Sequence, residues 1–369
     1  MSAYHRPPAK LTRVISFLPC FRLVSRAMSS SFIQEENQNP NYDPRKYYPA
    51  RVGETISRRY RVISKLGWGA NSTVWLAKDT TRSSNQYVTL KITNCGKEEQ
   101  RSANEEVEMS RYISQLQSDH EGRKYVRLVR ESFSIRGALG EHFCLVFEPL
   151  REPLWLLGKH LGSNGVPPAV LKPFLKLLLQ GLDFLHSECH IIHTDLKADN
   201  LLLGFEDSGV LESYARQQEN NPAPFGDDHG RPVFQSRPDF GHLRKGVGLV
   251  QISDFSAAVF GNVAEPHNHD IQPLPFCAPE VLLKATWTYS ADIWNLGTML
   301  WELLADRVLF DGLDPGSSTY SRVKHIAQII RLLGPPPQLL LERADQGICS
   351  ELFSSHGMMS ATSIISGDN

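Results

Sequence analysis

Eight residues, His193-Thr194-Asp195-Leu196-Lys197-Ala198-Asp199-Asn200, present a carboxylate, an amine and an amide at fixed offsets between the apolar runs Ile191-Ile192 and Leu201-Leu202-Leu203. That combination suits phosphoryl transfer. Asp195 can orient an attacking hydroxyl and accept its proton, Lys197 can neutralise charge growing on the moving phosphoryl group, and Asn200 can hold a magnesium ion.

Four further pieces occur in a compatible order. Gly67-Trp68-Gly69-Ala70-Asn71-Ser72, followed by Val74, lies between two strand-like runs. Glycines there let backbone amides approach phosphates closely, although a tight hairpin without a ligand explains the pattern equally well. Lys91 sits inside Val88-Thr89-Leu90-Lys91-Ile92. A lysine in an apolar strand is costly unless paired, so it either seeks a carboxylate or lies on an edge facing water. The next segment offers Glu105, Glu106 and Glu108. Glu106 fits best, because Val107, Met109 and Tyr112 then pack beneath the sheet. Asp254, at the head of Asp254-Phe255-Ser256, ends the apolar run Leu249-Val250-Gln251-Ile252 and is placed either to coordinate magnesium or simply to make a turn. Finally, Ala278-Pro279-Glu280 precedes Asp292 in Asp292-Ile293-Trp294-Asn295-Leu296-Gly297. Asp292 either complements a helix dipole or accepts backbone hydrogen bonds from the 193–195 loop.

The elements that must position these groups fall into two blocks. Strand patterns cover Tyr60-Arg61-Val62-Ile63, Thr73-Val74-Trp75-Leu76-Ala77 and Tyr87 to Ile92, with further strands at about 125–134 and 142–147 and one helix over 101–116. After Glu148-Pro149-Leu150 the pattern turns helical. Helices are expected at 169–187 (Pro173 tolerable only near the first turn), 290–305 (Ser290 as N-cap) and 320–333, the last stopped by Gly334-Pro335-Pro336-Pro337. The domain reading is a basic then polar, disordered extension at 1–53, a sheet-rich lobe at 54–148, a helical lobe at 149–353 and a disordered tail at 354–369. The fold class is α+β. Residues 204–249, rich in Asn, Asp, Gly and Pro, read as a long polar insertion, functional or disordered, that the fold must close back across.

Composition narrows the function classes. A chain of 369 residues with 41% hydrophobic content, 21% charged content and a net charge of −1 is ordinary for a globular protein. No global field points to nucleic acid or a membrane surface, so neither is an expected direct partner. A monomer is the expected state. Six scattered cysteines form no C-x-x-C pair, which argues against a zinc site and fits a reducing compartment. No apolar run approaches the roughly 20 residues that span a bilayer. The first 34 residues carry five basic side chains and no acid before Glu35. They read either as a mitochondrial presequence or as a disordered basic extension upstream of a start at Met28.

Taken together, the chain resembles the eukaryotic protein kinases, and more closely the SR-protein kinase family and its fungal relatives, from about Tyr48 to Phe353. The closer resemblance rests on Leu66-Gly67-Trp68-Gly69, Ser72-Thr73-Val74-Trp75-Leu76, Ile191-Ile192-His193-Thr194-Asp195 and Ala291-Asp292-Ile293-Trp294. It implies a two-lobed kinase fold and transfer of phosphate from ATP, with Mg2+, to protein serine, typically in Arg/Ser-rich splicing proteins, in cytoplasm or nucleus. Carried over position by position, it implies catalytic roles for Asp195, Lys197 and Asn200. Leu66, Gly67, Gly69, Ser72, Val74, Lys91, Glu106 and Glu148 would bind ATP, and Asn200 and Asp254 the metal. Thr194 replaces the arginine most kinases carry there, so a phosphate on the activation segment finds no waiting cation and activity without that phosphate is expected.

The chain also departs from the family pattern. Ser256 stands where the family has Gly, stiffening the backbone by about 1 kcal/mol or less. Pro273 and Cys277 replace a Thr and an Arg near the phospho-acceptor. The last helices of the large lobe are not recognisable after Phe353, which predicts a shortened lobe in which Glu280 lacks its usual arginine and is costly if buried unless water or another group reaches it. A catalytically silent kinase-like interaction module is the alternative reading.

Overall fold

A computed structural model describes residues 33–82, 86–243, 248–314 and 318–353. The first lobe is a six-stranded antiparallel sheet in the order β1-β2-β3-β4-β6-β5. Its strands are β1 (Thr55–Ile56), β2 (Tyr60–Gly69), β3 (Ser72–Asp79), β4 (Gln86–Thr93), β5 (Glu131–Arg136) and β6 (Glu141–Phe147). Helix α1 (Lys97–Gln115) starts four residues earlier than the sequence pattern placed it. Alternation along β3 and β4 sorts the side chains. Trp75, Ala77, Leu90 and Ile92 build a core on one face with Tyr60, Val62 and Cys144, which leaves Val74 and Lys91, paired across the two strands, on the other.

The second lobe is helical: α2 (Leu157–His160), α3 (Pro168–Asp183), α5 (Pro279–Leu282), α6 (Ser290–Ala305), α7 (Arg322–Leu333), α8 (Gln338–Arg343) and α9 (Gln346–Leu352). Leu171, Phe174, Leu178 and Leu182, at three- and four-residue spacing on α3, pack against Leu196, Ile252, Met299 and Leu303. Pro173 lies in the second turn of α3 rather than its first, because the helix opens with Pro168. Tyr289, not Ser290, caps α6. The Ser290 hydroxyl instead donates to Glu280 (2.9 Å). Glu280 is half-exposed, so of the two outcomes open to it without its arginine, the one in which another group reaches it is the one observed.

Residues 204–249 correct the expectation of a structureless insertion. They leave the site through β8 (Leu201–Leu203) and return through β11 (Val250–Ile252), which pair antiparallel as Leu201↔Ile252 and Leu203↔Val250. Between these lie helix α4 (Ser208–Asn220) and the hairpin β9 (Phe225–Asp228) and β10 (Arg231–Phe234). Val210, Tyr214 and Ala215 of α4 pack on Ile63 and Leu76 of the sheet. Burial of this apolar stripe is what orders the segment. The expected disorder before residue 54 is also corrected over 33–53. There Glu35 and Glu36 are buried, and their ion pairs to Lys65 and Arg231 fix the chain. The basic leader and the tail lie outside the described residues. Among the described residues no helix is long and apolar enough to cross a membrane.

A buried histidine gives the large lobe a pH dependence. His325 on α7 has no solvent exposure, its Nδ1 shares a hydrogen bond with the Tyr320 hydroxyl (2.9 Å), and burial pushes its pKa from 6.5 down to about 4. Between those values the unfolded chain binds a proton that the folded chain refuses, so stability falls as pH drops through the window, by about 3 kcal/mol in full. Urea unfolding at pH 7 and pH 4.5 should show wild type losing about 2 kcal/mol more than His325→Gln. Equal losses would contradict this account.

Candidate active site

Two short antiparallel pairs in the large lobe hold the site together. In β8–β11, Asn200 immediately precedes one strand and Asp254 follows the other by two residues, and Ser253 N donates to the Asn200 carbonyl (2.9 Å). In the second pair, β7 (Ile191–Ile192) and β12 (Val259–Phe260) bring His193 and Thr194 to the segment after Asp254. Ladder geometry thus places groups from 192–200 and 253–259 side by side.

Asp292 fixes the loop. Its carboxylate is fully buried and accepts from His193 N (2.7 Å), Thr194 N (2.8 Å) and His186 Nε2 (2.9 Å). Of the two roles open to it on sequence, backbone anchoring is the one it performs. His186 is delivered by a wide π-type turn over Phe184–Glu188 that ends α3. Thr194 and Asp254 both adopt left-handed backbone, with φ of 66° and 71°, a strained conformation for residues with side chains that a rigid setting sustains.

On that frame the polar groups converge. Lys91 Nζ donates to Glu106 Oε2 and to Asp254 Oδ1, both at 2.8 Å. Lys197 Nζ donates to Asp195 Oδ2 (2.8 Å), and Asn200 Nδ2 donates to the Asp195 carbonyl (2.8 Å) and to its Oδ2 (3.2 Å). Burial alone pulls a lysine down, but the carboxylates of Asp254 and Glu106 outweigh it and raise Lys91. Asp195 does the same for Lys197. Burial pushes Asp254 up, yet Lys91 prevails and holds it well below the usual carboxylate range. In Glu106 burial wins over Lys91 and the carboxyl is raised. The neighbouring Asp254 carboxylate adds to that rise, and the Glu106 Oε1 has no hydrogen-bond partner.

The glycine-rich turn closes over the same face. Gly67 pairs with Val74 and Gly69 with Ser72 across a two-residue hairpin, Ala70-Asn71. A Cβ built on Gly67 meets nothing within 4 Å, so open space lies beside that backbone. Val74 is half-buried opposite Lys91. Leu66 is half-buried against the Ile63–Leu76–Tyr214 cluster. Glu148 ends the sheet beside the lobe junction. Its side chain is exposed and paired with Arg130, and its carbonyl accepts from Arg127 (2.7 Å).

Arg127, Ser102 and Gln272 were not anticipated. Arg127 is buried over the Phe147 ring. Burial pulls its guanidinium down to about 10, which leaves it charged at neutral pH. An arginine inside Val126-Arg127-Leu128-Val129 is the same signal as Lys91 in its strand and could have been read the same way. The Ser102 hydroxyl on α1 donates to the Ser256 carbonyl (3.2 Å), tying the helix that carries Glu106 to the segment after Asp254. Gln272, buried with φ of 70°, donates to the Ala291 carbonyl and accepts from Ala278 N, both at 2.8 Å. No local pattern marks Ser102 or Gln272.

Residues 60–355 match the family model described as the protein kinase domain. The chain belongs to the protein kinase family. A serine/threonine protein kinase of Aspergillus fumigatus is 37% identical over 315 residues, 85% of this chain and 74% of that protein. A serine/threonine-protein kinase SRPK of Physarum polycephalum is 30% identical over 347 residues, 88% of this chain and 78% of that protein. An SRSF protein kinase 3 of Sus scrofa is 32% identical over 213 residues, 56% of this chain and 37% of that protein. The chain is thus an SRPK-like serine/threonine protein kinase that acts on protein. Protein kinases in general use ATP and Mg2+. The silent-module alternative is not favoured: Lys91, Glu106 and Asp254 are bonded in one cluster and Asp195, Lys197 and Asn200 in a second in this kinase.

Proposed function

We propose that this kinase transfers the γ-phosphoryl group of ATP to serine in Arg/Ser-rich protein substrates, with Mg2+ held by Asn200 and Asp254. The observation that carries the reading is a single cation, Lys91, bonded at once to carboxylates 15 and 163 residues away. A cation held between two distant carboxylates in this way suits the orientation of nucleotide phosphates. The donor set fits magnesium, which takes one or two protein oxygens and completes its octahedron with water and phosphate. Asn200 spends its amide nitrogen on Asp195 and Asp254 spends Oδ1 on Lys91, which leaves one amide oxygen and one carboxylate oxygen as ligands. When bound, the ion neutralises charge developing on the phosphates.

The chain's own groups do the rest. The backbone of Gly67, Gly69 and Ser72 cradles the phosphates, while Leu66, Val74 and the Glu148 strand end flank the base. Lys91 orients the phosphates. Lys197 and Asn200 both bond Asp195 through Oδ2, so Oδ1 is the oxygen that takes the serine proton. Thr194, in place of an arginine, donates its hydroxyl to the Ala257 carbonyl (2.8 Å) and ties the catalytic loop to the activation segment without a phosphate. Preference for Arg/Ser substrates is supported by the Sus scrofa relative, which is named for SRSF proteins.

The purified chain, untreated by any other kinase, should therefore incorporate labelled phosphate from Mg-ATP into serine of an Arg-Ser repeat peptide. Incorporation that appears only after treatment with an upstream kinase would remove the Thr194 argument. Preference for an acidic peptide would remove the substrate assignment.

A further inference from the structure

The segment before the sheet grips the glycine-rich turn from both sides of its glycines. Ahead of them, Lys65 on β2 is wholly buried. It donates to Glu35 (3.1 Å), Glu36 and the Phe234 carbonyl (3.0 Å). Beyond them, the carbonyl of Ala70 at the hairpin tip accepts two hydrogen bonds, from Asn39 Nδ2 (3.0 Å) and from the Tyr47 hydroxyl (2.9 Å). Those donors lie 31 and 23 residues from Ala70, and both are buried. The pairing of β2 with β3 is itself irregular between Lys65 and Gly67, so the ladder alone defines this stretch poorly.

The bonded carbonyl has a directional consequence. In a trans peptide the C=O of Ala70 and the N–H of Asn71 point opposite ways, and no cis peptide occurs among the described residues. Tyr48, Ala50 and Val52 of the same segment cover the Trp75–Leu90 face of the sheet, opposite Lys91. Drawing the Ala70 carbonyl toward that segment turns the Asn71 amide the other way, toward the Lys91 side, where an amide donor serves a phosphate oxygen.

We propose that Asn39 and Tyr47 are positioning residues for the nucleotide: by fixing the Ala70–Asn71 peptide they set the affinity of the glycine-rich turn for the phosphates of ATP. This rests on the ATP-site reading above. Neither residue touches the reacting atoms, so their loss acts on nucleotide binding and not on the chemical step. Tyr42 supplies the control. Its ring is tilted against Tyr47 (5.2 Å between centroids) and its hydroxyl accepts a hydrogen bond from Arg231 (3.1 Å), whereas the Ala70 carbonyl is held by Asn39 and Tyr47.

The test compares wild type, Asn39→Leu/Tyr47→Phe and Tyr42→Phe in the full chain, measuring KM for ATP, kcat at saturating peptide, Tm, and binding of a fluorescent ATP analogue. Loss of two neutral hydrogen bonds should raise KM and the analogue Kd by about 5- to 20-fold in the double variant, with kcat within about twofold. Tyr42→Phe should lower Tm but leave both constants within about twofold. A double variant that binds nucleotide as wild type does, or a Tyr42→Phe variant that weakens binding equally, overturns the positioning role alone. A wild-type chain that binds no nucleotide overturns it together with the ATP-site reading.

Discussion

Asp195→Asn is expected to lower kcat by about 10²- to 10⁴-fold, the usual worth of a positioned proton acceptor. The substitution is nearly isosteric, and an amide oxygen in place of Oδ2 can still accept from Lys197 (2.8 Å in the wild type). The loop also remains anchored, because Asp292 holds it through the backbone of His193 and Thr194 rather than through Asp195. What disappears is the group that takes the serine proton. The Lys91–Glu106–Asp254 cluster is untouched, so ATP affinity should stay within about threefold. Single-turnover phosphate transfer and an equilibrium nucleotide titration separate the two quantities. Retention of a tenth or more of wild-type kcat would mean that another group accepts the proton.

Lys65→Met should destabilise the fold strongly although it lies outside the site. Lys65 and Arg231 are the two cations buried against Glu35 and Glu36. Burial alone would push the Glu36 carboxyl up, but Lys65 and Arg231 together pull it below its ordinary value. Without Lys65 two buried carboxylates face one guanidinium, and an uncompensated buried charge costs about 3–5 kcal/mol. Replacing Glu35 as well, in Lys65→Met/Glu35→Gln, rebalances the charge and should recover about half of that loss. Urea unfolding of the three chains measures both numbers. A single-variant cost below about 1 kcal/mol would show that water replaces the lysine.

Much of the site was legible because its chemistry is conspicuous against its surroundings. A lysine inside an apolar strand demands a carboxylate, and the structure supplies Glu106 and Asp254. The strands and the large helices followed from period-two and period-3.6 patterning, since most of their stability comes from burying one face. Two features escaped for related reasons. The turn residues of the insertion dominate its composition, yet only some of them serve the β9–β10 hairpin, where His229 and Gly230 take positive φ. Its Val210-Leu211 and Tyr214-Ala215 spacing was the helix signal. Segment 33–53 lacks any such period. It is ordered by ion pairs and single hydrogen bonds to Lys65, Arg231 and Ala70, partners as far as 195 residues away, and no local window contains them. The fate of Glu280 likewise turned on Ser290, a neighbour in space whose expected role was to cap α6.

The exit and return of residues 204–249 through adjacent strands has a consequence for how such a chain can vary. Because Leu203 and Val250 face each other in the β8–β11 pair, and Gly204 N already bonds the Leu249 carbonyl (2.9 Å), the excursion begins and ends at one point. Anything that starts and finishes there leaves Asn200 and Asp254 in register, and loop-closure cost grows only slowly with length. The doorway is therefore a natural graft point on the large-lobe side, where a three-rung ladder holds Asn200 and Asp254 whatever projects from it. Any replacement must still supply the contacts that α4, Arg231 and the Phe234 carbonyl make to the sheet, to Glu36 and to Lys65 respectively.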